Sequence, residues 1–279
     1  MLNLILAILS SALVSITMRL SKSHVKNNIA LLAVNYLLCA IFAWGDTGFA
    51  AFLPKAEGLS TAIGLGIING GLFLAGFVLL QWSIHKNGVV LSSTFQRLGL
   101  LVSMLTSVIC FGERPALWQW FAFALAIAAI ILMNARPKEE KAGSMAGLLL
   151  LLLAGGCCDT MSKVYEVFGN AALSAHFLMY TFLVALLACI LMIAVKQQGL
   201  PGKAEWIYGI VVGVPNYFSA KFLLASLKSL AAVIVYPVYS VATILTVTLT
   251  GLLLFRERMG KRQWIAMGMI LLSLVLLNI

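Results

Sequence analysis

The chain has 279 residues, of which 62% are hydrophobic and only 10% are charged. A soluble domain usually carries about a quarter charged residues, so this composition argues against a soluble enzyme, a nucleic-acid-binding domain and a secreted disulfide scaffold. The net charge is +10, and the position of the basic residues relative to a membrane decides what this charge means. The expected partners are membrane lipid and a small-molecule substrate, with no nucleic acid.

Ten apolar runs follow one another along the chain. Because a membrane-spanning helix needs about 20 apolar residues, each run is a candidate span. The runs lie near residues 2–20, 29–45, 61–82, 88–111, 116–134, 145–165, 172–195, 205–226, 231–255 and 263–279. The separators are rich in Gly, Pro and charged residues, which mark connectors. The sequence therefore predicts an all-α integral membrane protein with ten transmembrane helices.

The third run has a face of small residues, which lets membrane helices approach each other closely. Its glycines are Gly64, Gly66, Gly70 and Gly71. We expect a neighbouring helix to pack against this face.

Basic residues are unevenly divided between the two sets of connectors. The connectors after spans one, three, five, seven and nine, with their flanking helix ends, hold thirteen of the nineteen Lys and Arg residues. Since Lys and Arg concentrate on the cytoplasmic side of a membrane protein, this side is predicted to be cytoplasmic. Both termini are then expected on the non-cytoplasmic side of a bacterial inner membrane.

The two halves of the chain resemble each other at a constant shift of 144 residues. Residues 111–134 align with 255–278 without a gap, and eight of these 24 positions are identical. Shared apolar composition produces chance matches of Leu and Ala, but it does not readily produce matched Glu-Arg and Gln-Trp pairs in one frame. The sequence predicts two five-helix repeats at 1–134 and 145–279, joined by a short charged connector at 135–144.

Five spans per repeat is an odd number, so the second repeat is expected to enter the membrane in the opposite orientation to the first. Inverted repeats are a recurring architecture of secondary transporters, which bind substrate near the membrane midplane where the repeats meet. Two similar halves of opposite orientation can exchange inward-open and outward-open states of comparable energy. This predicts alternating access.

The layout of five plus five spans, the chain length and the FGER and FRER elements that close spans four and nine resemble the drug/metabolite transporter superfamily, in particular its EamA-like branch. The run VIVYPVYSV also resembles the Pro-containing ninth helix of that branch, whereas the first repeat has Ser93 where the second has Pro237. The resemblance covers essentially the whole chain. It implies the ten-helix fold and the transport, often outward, of small metabolites, amino acids or drugs.

Ionisable residues inside a span are costly, so each one is a candidate functional residue. Arg97 lies deep in span four, beside Gln96. Its guanidinium would suit a substrate carboxylate or phosphate. The alternatives are a structural ion pair with Asp159 and the capping of carbonyl groups at a helix break.

Asp159 is the one carboxylate that the sequence places clearly inside a span. Burial raises the pKa of a carboxyl group, so Asp159 is a candidate for proton coupling as access alternates. It would also suit a substrate amine. The competing interpretation is an internal ion pair with Lys163 or Arg97.

Three further candidates for substrate binding lie in spans eight and nine. Lys221 follows Tyr217 by one helical turn, and the pair would suit an anionic or zwitterionic ligand if it faces inward. Lys221 would equally reach water at the end of its span. Pro237 removes a backbone donor in span nine, where Tyr239 would line a cavity or pack as an ordinary core aromatic.

Four charged residues occupy equivalent places at helix ends in the two repeats, and we interpret them as structural caps or bridges between helices. They are Glu113, Arg114, Glu257 and Arg258. The chain has three scattered histidines and lacks a glycine loop followed by Lys, so neither a metal, a cofactor nor direct ATP drive is expected.

The residues together predict a permease for a small polar solute that carries negative charge and is anionic or zwitterionic. One alternative is a flippase for an amphiphilic or lipid-linked substrate, and another is a membrane scaffold or receptor without transport activity. A membrane-embedded enzyme is not expected, because the sequence offers no paired catalytic carboxylates, no nucleophile with its base and no metal cluster.

Overall fold

A computed structural model describes residues 1–134, 144–197, 199–254 and 260–277, and within these ranges it leaves out the side chains of residues 81, 84, 85, 88–91, 93, 94, 97, 133, 134 and 254. All regular structure in the described ranges is helical, as predicted. The helices are α1 Leu2–Ser21, α2 Asn28–Asp46, α3 Leu59–Arg97, α4 Leu100–Phe111, α5 Leu117–Asn134, α6 Met145–Phe168, α7 Ser174–Val195, α8 Lys203–Leu227, α9 Ala232–Leu254 and α10 Lys261–Leu277.

Seven helices among the described residues are long and apolar enough to cross a membrane, and they lie in α1, α2, the first part of α3, α6, α7, α8 and α9. The apolar helices Leu100–Phe111 and Leu117–Leu132 are shorter. Helices of this kind suit lipid because each satisfies its backbone hydrogen bonds internally. The chain is therefore an integral membrane protein, and the count of ten spans stays a prediction.

The predicted boundary between the third and fourth spans is wrong. The sequence predicts a connector near residues 83–87, whereas α3 continues to Arg97 and the interruption lies at Leu98 and Gly99. Polar side chains of the expected connector bond to one another inside α3: Asn87 Nδ2 donates to Ser83 Oγ at 3.1 Å. A Cβ on Gly99 would lie 2.8 Å from the backbone nitrogen of Gly156 in α6, so the interruption falls at a close helix contact.

The chain divides into two compact units, and each unit draws helices from both halves of the sequence. Unit 1 comprises Met1–Leu74 and Met161–Lys228, and unit 2 comprises Ala75–Thr160 and Ser229–Ile279. The boundaries of the compact units therefore differ from those of the predicted sequence repeats.

In unit 1, α8 packs against α1 and α2, and α2 packs against α7. The core between them is aromatic, with Tyr36 stacked on Phe182 at 6.3 Å between ring centroids. Two glycines of the face predicted in α3 lie against α7. A Cβ on Gly66 would lie 2.7 Å from the Cβ of Tyr180, and Gly70 is equally close to that helix. Gly64 and Gly71 have open space beside them, so only part of the small-residue face is a helix contact.

In unit 2, α4 packs against α9, and α10 packs against α5 and α9. Their apolar side chains form one buried core that includes Met104, Phe123, Ile130 and Ile270. Close packing of helices in lipid depends on van der Waals contact and interhelical hydrogen bonds. One such bond is donated by Ser273 in α10 to the carbonyl of Ala122 in α5 at 2.9 Å.

Candidate functional site

A charged and polar cluster lies in unit 1 where α2 and α8 end. We call Asp46, Tyr217 and Lys221 the Asp46 cluster. Tyr217 and Lys221 are one turn apart on α8, and Asp46 is the last residue of α2. The Tyr217 hydroxyl donates a hydrogen bond to Asp46 Oδ2, and Lys221 Nζ forms an ion pair with the same oxygen. The cluster therefore joins the ends of two helices that come from different sequence repeats.

The cluster is partly open on one side and buried on the other. The side chains of Lys221 and Asp46 are 37% and 33% exposed, whereas Tyr217 is 1% exposed. The ring of Tyr217 stacks on Phe42 at 5.7 Å between centroids. Lys221 Nζ lies 5.8 Å from the centroid of the Tyr217 ring, within the range of a cation–π contact. The aromatic packing holds the hydroxyl in place, while the two charges face a space that a ligand can enter.

That space is a cavity of about 250 Å³ at the end of unit 1 where α7 begins. Its lining consists of Asp46, Ala171, Ala172, Ser174, Ala175, Leu178, Tyr217, Lys221, Leu224, Ala225 and Lys228. Lys228 Nζ donates to Ser174 Oγ at 3.4 Å, so a second ammonium group is held at the rim. Two ammonium groups against one carboxylate give the described lining a net positive charge, which favours a ligand that carries negative charge.

Close helix packing brings the cluster together. A Cβ on Gly209 in α8 would lie 2.6 Å from the Cβ of Val34, so α8 and α2 approach almost to backbone contact. Between them Asn216 donates from Nδ2 to Asn35 Oδ1 at 3.1 Å, which satisfies two amide groups in the apolar interior. The resulting position of α8 along α2 places Tyr217 and Lys221 beside Asp46, the last residue of α2.

The other interior candidates lie in unit 2. Asp159 is a half-buried residue of α6, and its carbonyl oxygen accepts a hydrogen bond from the Tyr236 hydroxyl at 2.9 Å. Tyr239 is half-buried on α9, two residues beyond Pro237. Lys163, one turn beyond Asp159 and in unit 1, forms an ion pair with Glu166 at 2.7 Å.

Gln96 and Arg97 form the last turn of α3, also in unit 2. The carbonyl of Gln96 accepts a hydrogen bond from Gly99 N–H at 3.1 Å, and the residue is exposed. The side chain of Arg97 lies outside the described part of the chain. Of the six predicted substrate residues, the structure thus brings Tyr217 and Lys221 together in one cavity.

The predicted helix-end residues include an N-terminal cap. The carboxylate of Glu113 accepts hydrogen bonds from the backbone N–H groups of Ala232 at 2.9 Å and Val233 at 2.7 Å, so it satisfies the first donors of α9. Arg114 is exposed. Glu257 and Arg258 lie outside the described residues.

Asp46 is a site residue that the sequence-based prediction does not include, because the predicted spans leave it in the connector between spans two and three. One signal could indicate it: spans two and eight run in the same direction when spans alternate, so their ends share one side of the membrane. Asp46 is the last residue of α2, and Lys221 lies within the last two turns of α8.

Within the described ranges, the structure groups no three His, Cys, Asp or Glu residues that would hold a metal ion. The described side chains of the Asp46 cluster offer charge pairing and hydrogen bonding. Such groups bind and orient a polar ligand.

The chain resembles known proteins over nearly its whole length. The model of the EamA-like transporter family matches residues 1–135 and 145–279. The chain is 24% identical to an uncharacterized protein of Haemophilus influenzae over 284 aligned positions, which cover 94% of this chain and 92% of the relative. A crystal structure at 14% identity superposes with a TM-score of 0.74, over 99% of this chain and 94% of the other, and this likeness shows the fold.

The family match spans nearly the whole chain in two segments, and the helices are those of a membrane protein. Members of this family are transporters rather than enzymes, and a transporter has a small-molecule substrate. The chain belongs to the EamA-like transporter family of the drug/metabolite transporter superfamily and is a membrane transporter of that type.

Proposed function

We propose that this transporter moves a small polar metabolite that carries negative charge, either an anion or a zwitterion, by alternating access. The observation that carries the proposal is the cavity at the Asp46 cluster, where Lys221 and Lys228 outnumber the single carboxylate of the described lining. Its volume of about 250 Å³ lies below the roughly 300–1,000 Å³ typical of pockets for drug-sized ligands, which favours a small solute.

Alternating access is supported by the duplicated sequence. The family model matches two segments of nearly equal length, which correspond closely to the repeats at 1–134 and 145–279. We infer that the repeats are inverted, since five spans in each would reverse the orientation of the second. Such repeats give two conformations of similar energy, and a transporter needs both.

Four of the predicted substrate residues belong to unit 2, and each has a proposed role. We infer that Arg97 binds a substrate carboxylate or phosphate, with Gln96 as a neighbouring donor, since a guanidinium offers paired donors to such an anion. Tyr239 is proposed as a wall of the pathway beside Pro237. Asp159 is proposed to exchange a proton as access alternates.

Purified protein in proteoliposomes tests the proposed substrate class. A thermal-shift screen against carboxylates, phosphate esters and amino acids identifies ligands first, because a ligand of the folded state raises apparent stability. Uptake of a stabilising ligand is then expected to fall by roughly tenfold or more in Lys221→Gln and in Arg97→Gln, since a charge-assisted hydrogen bond contributes about 1.5–3 kcal/mol.

Lys203→Gln is the matched control. Lys203 is an exposed lysine at the first residue of α8, at the other end of the helix from Lys221. Its replacement is expected to leave uptake unchanged. Uptake that survives both Lys221→Gln and Arg97→Gln would contradict the proposal.

Proton coupling and orientation have separate tests. In Asp159→Asn, uptake driven by a pH gradient is expected to be lost while exchange of substrate across the membrane persists. Reporter tags at both termini are expected on the non-cytoplasmic side of a bacterial inner membrane, as the distribution of basic residues predicts. Termini on opposite sides would contradict an even number of spans.

A further inference from the structure

The Asp46 cluster contains its own counter-charge. Lys221 Nζ and the Tyr217 hydroxyl both meet Oδ2 of Asp46, so the ammonium group that would attract a ligand is paired with a carboxylate of the protein. A ligand that binds Lys221 therefore competes with Asp46. What happens to Asp46 during that exchange decides which ligands bind well.

A simple anion and a zwitterion have different effects on this pair. If an anion takes Lys221, the Asp46 carboxylate loses its partner and faces the negative charge of the ligand. At this partly buried site, a carboxylate that loses its partner is left without a counter-charge and incompletely solvated, which is unfavourable. A zwitterion replaces both halves, because its carboxylate takes the ammonium of Lys221 while its own ammonium takes the carboxylate of Asp46. No charge is then left without a partner.

Lys228 strengthens this arrangement from the rim. It follows Lys221 by two turns of α8, so the two side chains lie on the same face of the helix. With Lys228 donating to Ser174 Oγ, a negative group in the cavity has a second ammonium nearby. The described lining thus offers separate places for a negative and a positive group of one small molecule.

The positions that correspond to the Asp46 cluster in the other half of the sequence are apolar. At the shift of 144 residues, Asp46 corresponds to Ile190, Tyr217 to Phe73 and Lys221 to Phe77. Phe73 lies in the part of α3 that belongs to unit 1, and its ring packs edge-on against Phe182 in α7 at 6.1 Å between centroids. An aromatic contact thus joins these two helices at the position where α8 has Tyr217. The ionisable groups of the Asp46 cluster occur in one of the two sets of corresponding positions.

We propose that Asp46 is a specificity-determining residue: it binds the ammonium group of the substrate while Lys221 binds the carboxylate, so the transporter prefers a zwitterion to the anion of the same size. This inference rests on the proposed function, and it resolves the choice between anion and zwitterion that the net charge of the cavity leaves open.

Paired ligands test the preference. Each pair consists of a small α-amino acid and the carboxylic acid that lacks only the amino group, such as alanine with propionate and glutamate with glutarate. Binding to the purified full-length protein is measured by thermal shift over a range of ligand concentrations. The wild type is expected to bind the amino acid of at least one pair about tenfold or more tightly than its partner acid.

Three variants locate the source of the preference. Asp46→Asn is expected to reduce the ratio of the two affinities to about one, chiefly by weakening the amino acid, whereas Asp46→Glu is expected to retain most of it. Asp46→Asn combined with Lys221→Gln removes the pair without leaving a lone charge, and it is also expected to lose the preference. Glu166→Gln is the control, since Glu166 pairs with Lys163 outside the cavity lining.

The outcomes separate this inference from the proposed function. If the wild type binds both members of every pair equally, or if Asp46→Asn weakens both members by the same factor, Asp46 has only a structural role and this inference fails alone. If the wild type binds no amino acid, carboxylate or phosphate ester, the proposed substrate class fails and this inference fails with it.

Discussion

Unit 1 contains two glycine-paired helix contacts that the repeat relates to each other. In one, α3 lies on α7 through Gly66 and Gly70, and in the other, α8 lies on α2 through Gly209 and Gly213. The glycines of each pair are four residues apart, so they share a helix face. Each contact joins a helix of one sequence repeat to a helix of the other.

The two contacts differ in the polar groups that they hold. Across α3 and α7 a buried bond runs from Asn69 Nδ2 to Thr181 Oγ1 at 3.3 Å. Across α8 and α2 lie the bond between Asn216 and Asn35 and the whole Asp46 cluster. Both contacts use glycines four residues apart, although Gly66 and Gly70 correspond to Ile210 and Val214 at the shift of 144 residues, and the Asp46 cluster adds ionisable groups to one contact. The difference separates the residues that build the fold from those that carry the chemistry.

The largest effect is expected from filling the glycine contacts. A Cβ at Gly70 would lie 2.6 Å from the carbonyl oxygen of Thr181, and one at Gly209 would lie 2.6 Å from the Cβ of Val34. Overpacking of this kind costs about 1–3 kcal/mol, so Gly70→Ala and Gly209→Ala are each expected to lower the free energy of unfolding by about 2–3 kcal/mol. Intrinsic tryptophan fluorescence during unfolding in detergent measures the change.

Gly71 supplies the matched control for this experiment. It adjoins Gly70 on the same helix, and an added Cβ there meets nothing within 4 Å. Because alanine is the better helix former by about 1 kcal/mol, Gly71→Ala is expected to leave stability unchanged or to raise it slightly. Equal losses for Gly70→Ala and Gly71→Ala would show that the glycines are not contact residues.

A smaller effect is expected where the repeats differ in backbone structure. The chain is interrupted between α8 and α9, and Glu113 caps the first N–H groups of α9. The positions 144 residues before Ala232 and Val233 are 88 and 89, which lie inside α3. Only the second copy therefore leaves donors that need a cap. Glu113→Ala is expected to lower the free energy of unfolding by about 2 kcal/mol, since it frees two donors that a carboxylate held.

Glu113→Gln sharpens this test because it keeps one acceptor oxygen. It is expected to lose about half as much stability as Glu113→Ala, with both measured by the same fluorescence transition. A loss in Glu113→Gln as large as that in Glu113→Ala would indicate that the negative charge, rather than the hydrogen bonds, stabilises the start of α9.

The sequence predicts the helices well and the site in part, for physical reasons that these regions show. Apolar runs locate α1, α2 and α5–α10 to within a few residues, because a helix in lipid must be apolar over its whole length. The apolar pattern gives a wrong boundary at residues 83–87, where polar side chains suggest a connector but bond to each other inside α3. It also does not identify Asp46. A charged residue at the end of a helix fits either a loop or a binding site, and only the position of the partner helix shows which one it is.

The smallest effect is expected around residues 83–87 of α3, for which the sequence predicts a connector. Asn87 is 2% exposed, donates to Ser83 Oγ and accepts from the backbone N–H of Ser144 at 2.7 Å. Asn87→Ala frees that N–H, and since an unsatisfied buried donor costs about 1–3 kcal/mol, a loss of about 1–2 kcal/mol is expected. Ser92→Ala removes only the hydroxyl contact with Ser83 at 2.8 Å and is expected to cost about 1 kcal/mol or less. Equal costs for the two variants would mean that Asn87 does not hold the start of α6, and that the polar residues of α3 act only within their own helix.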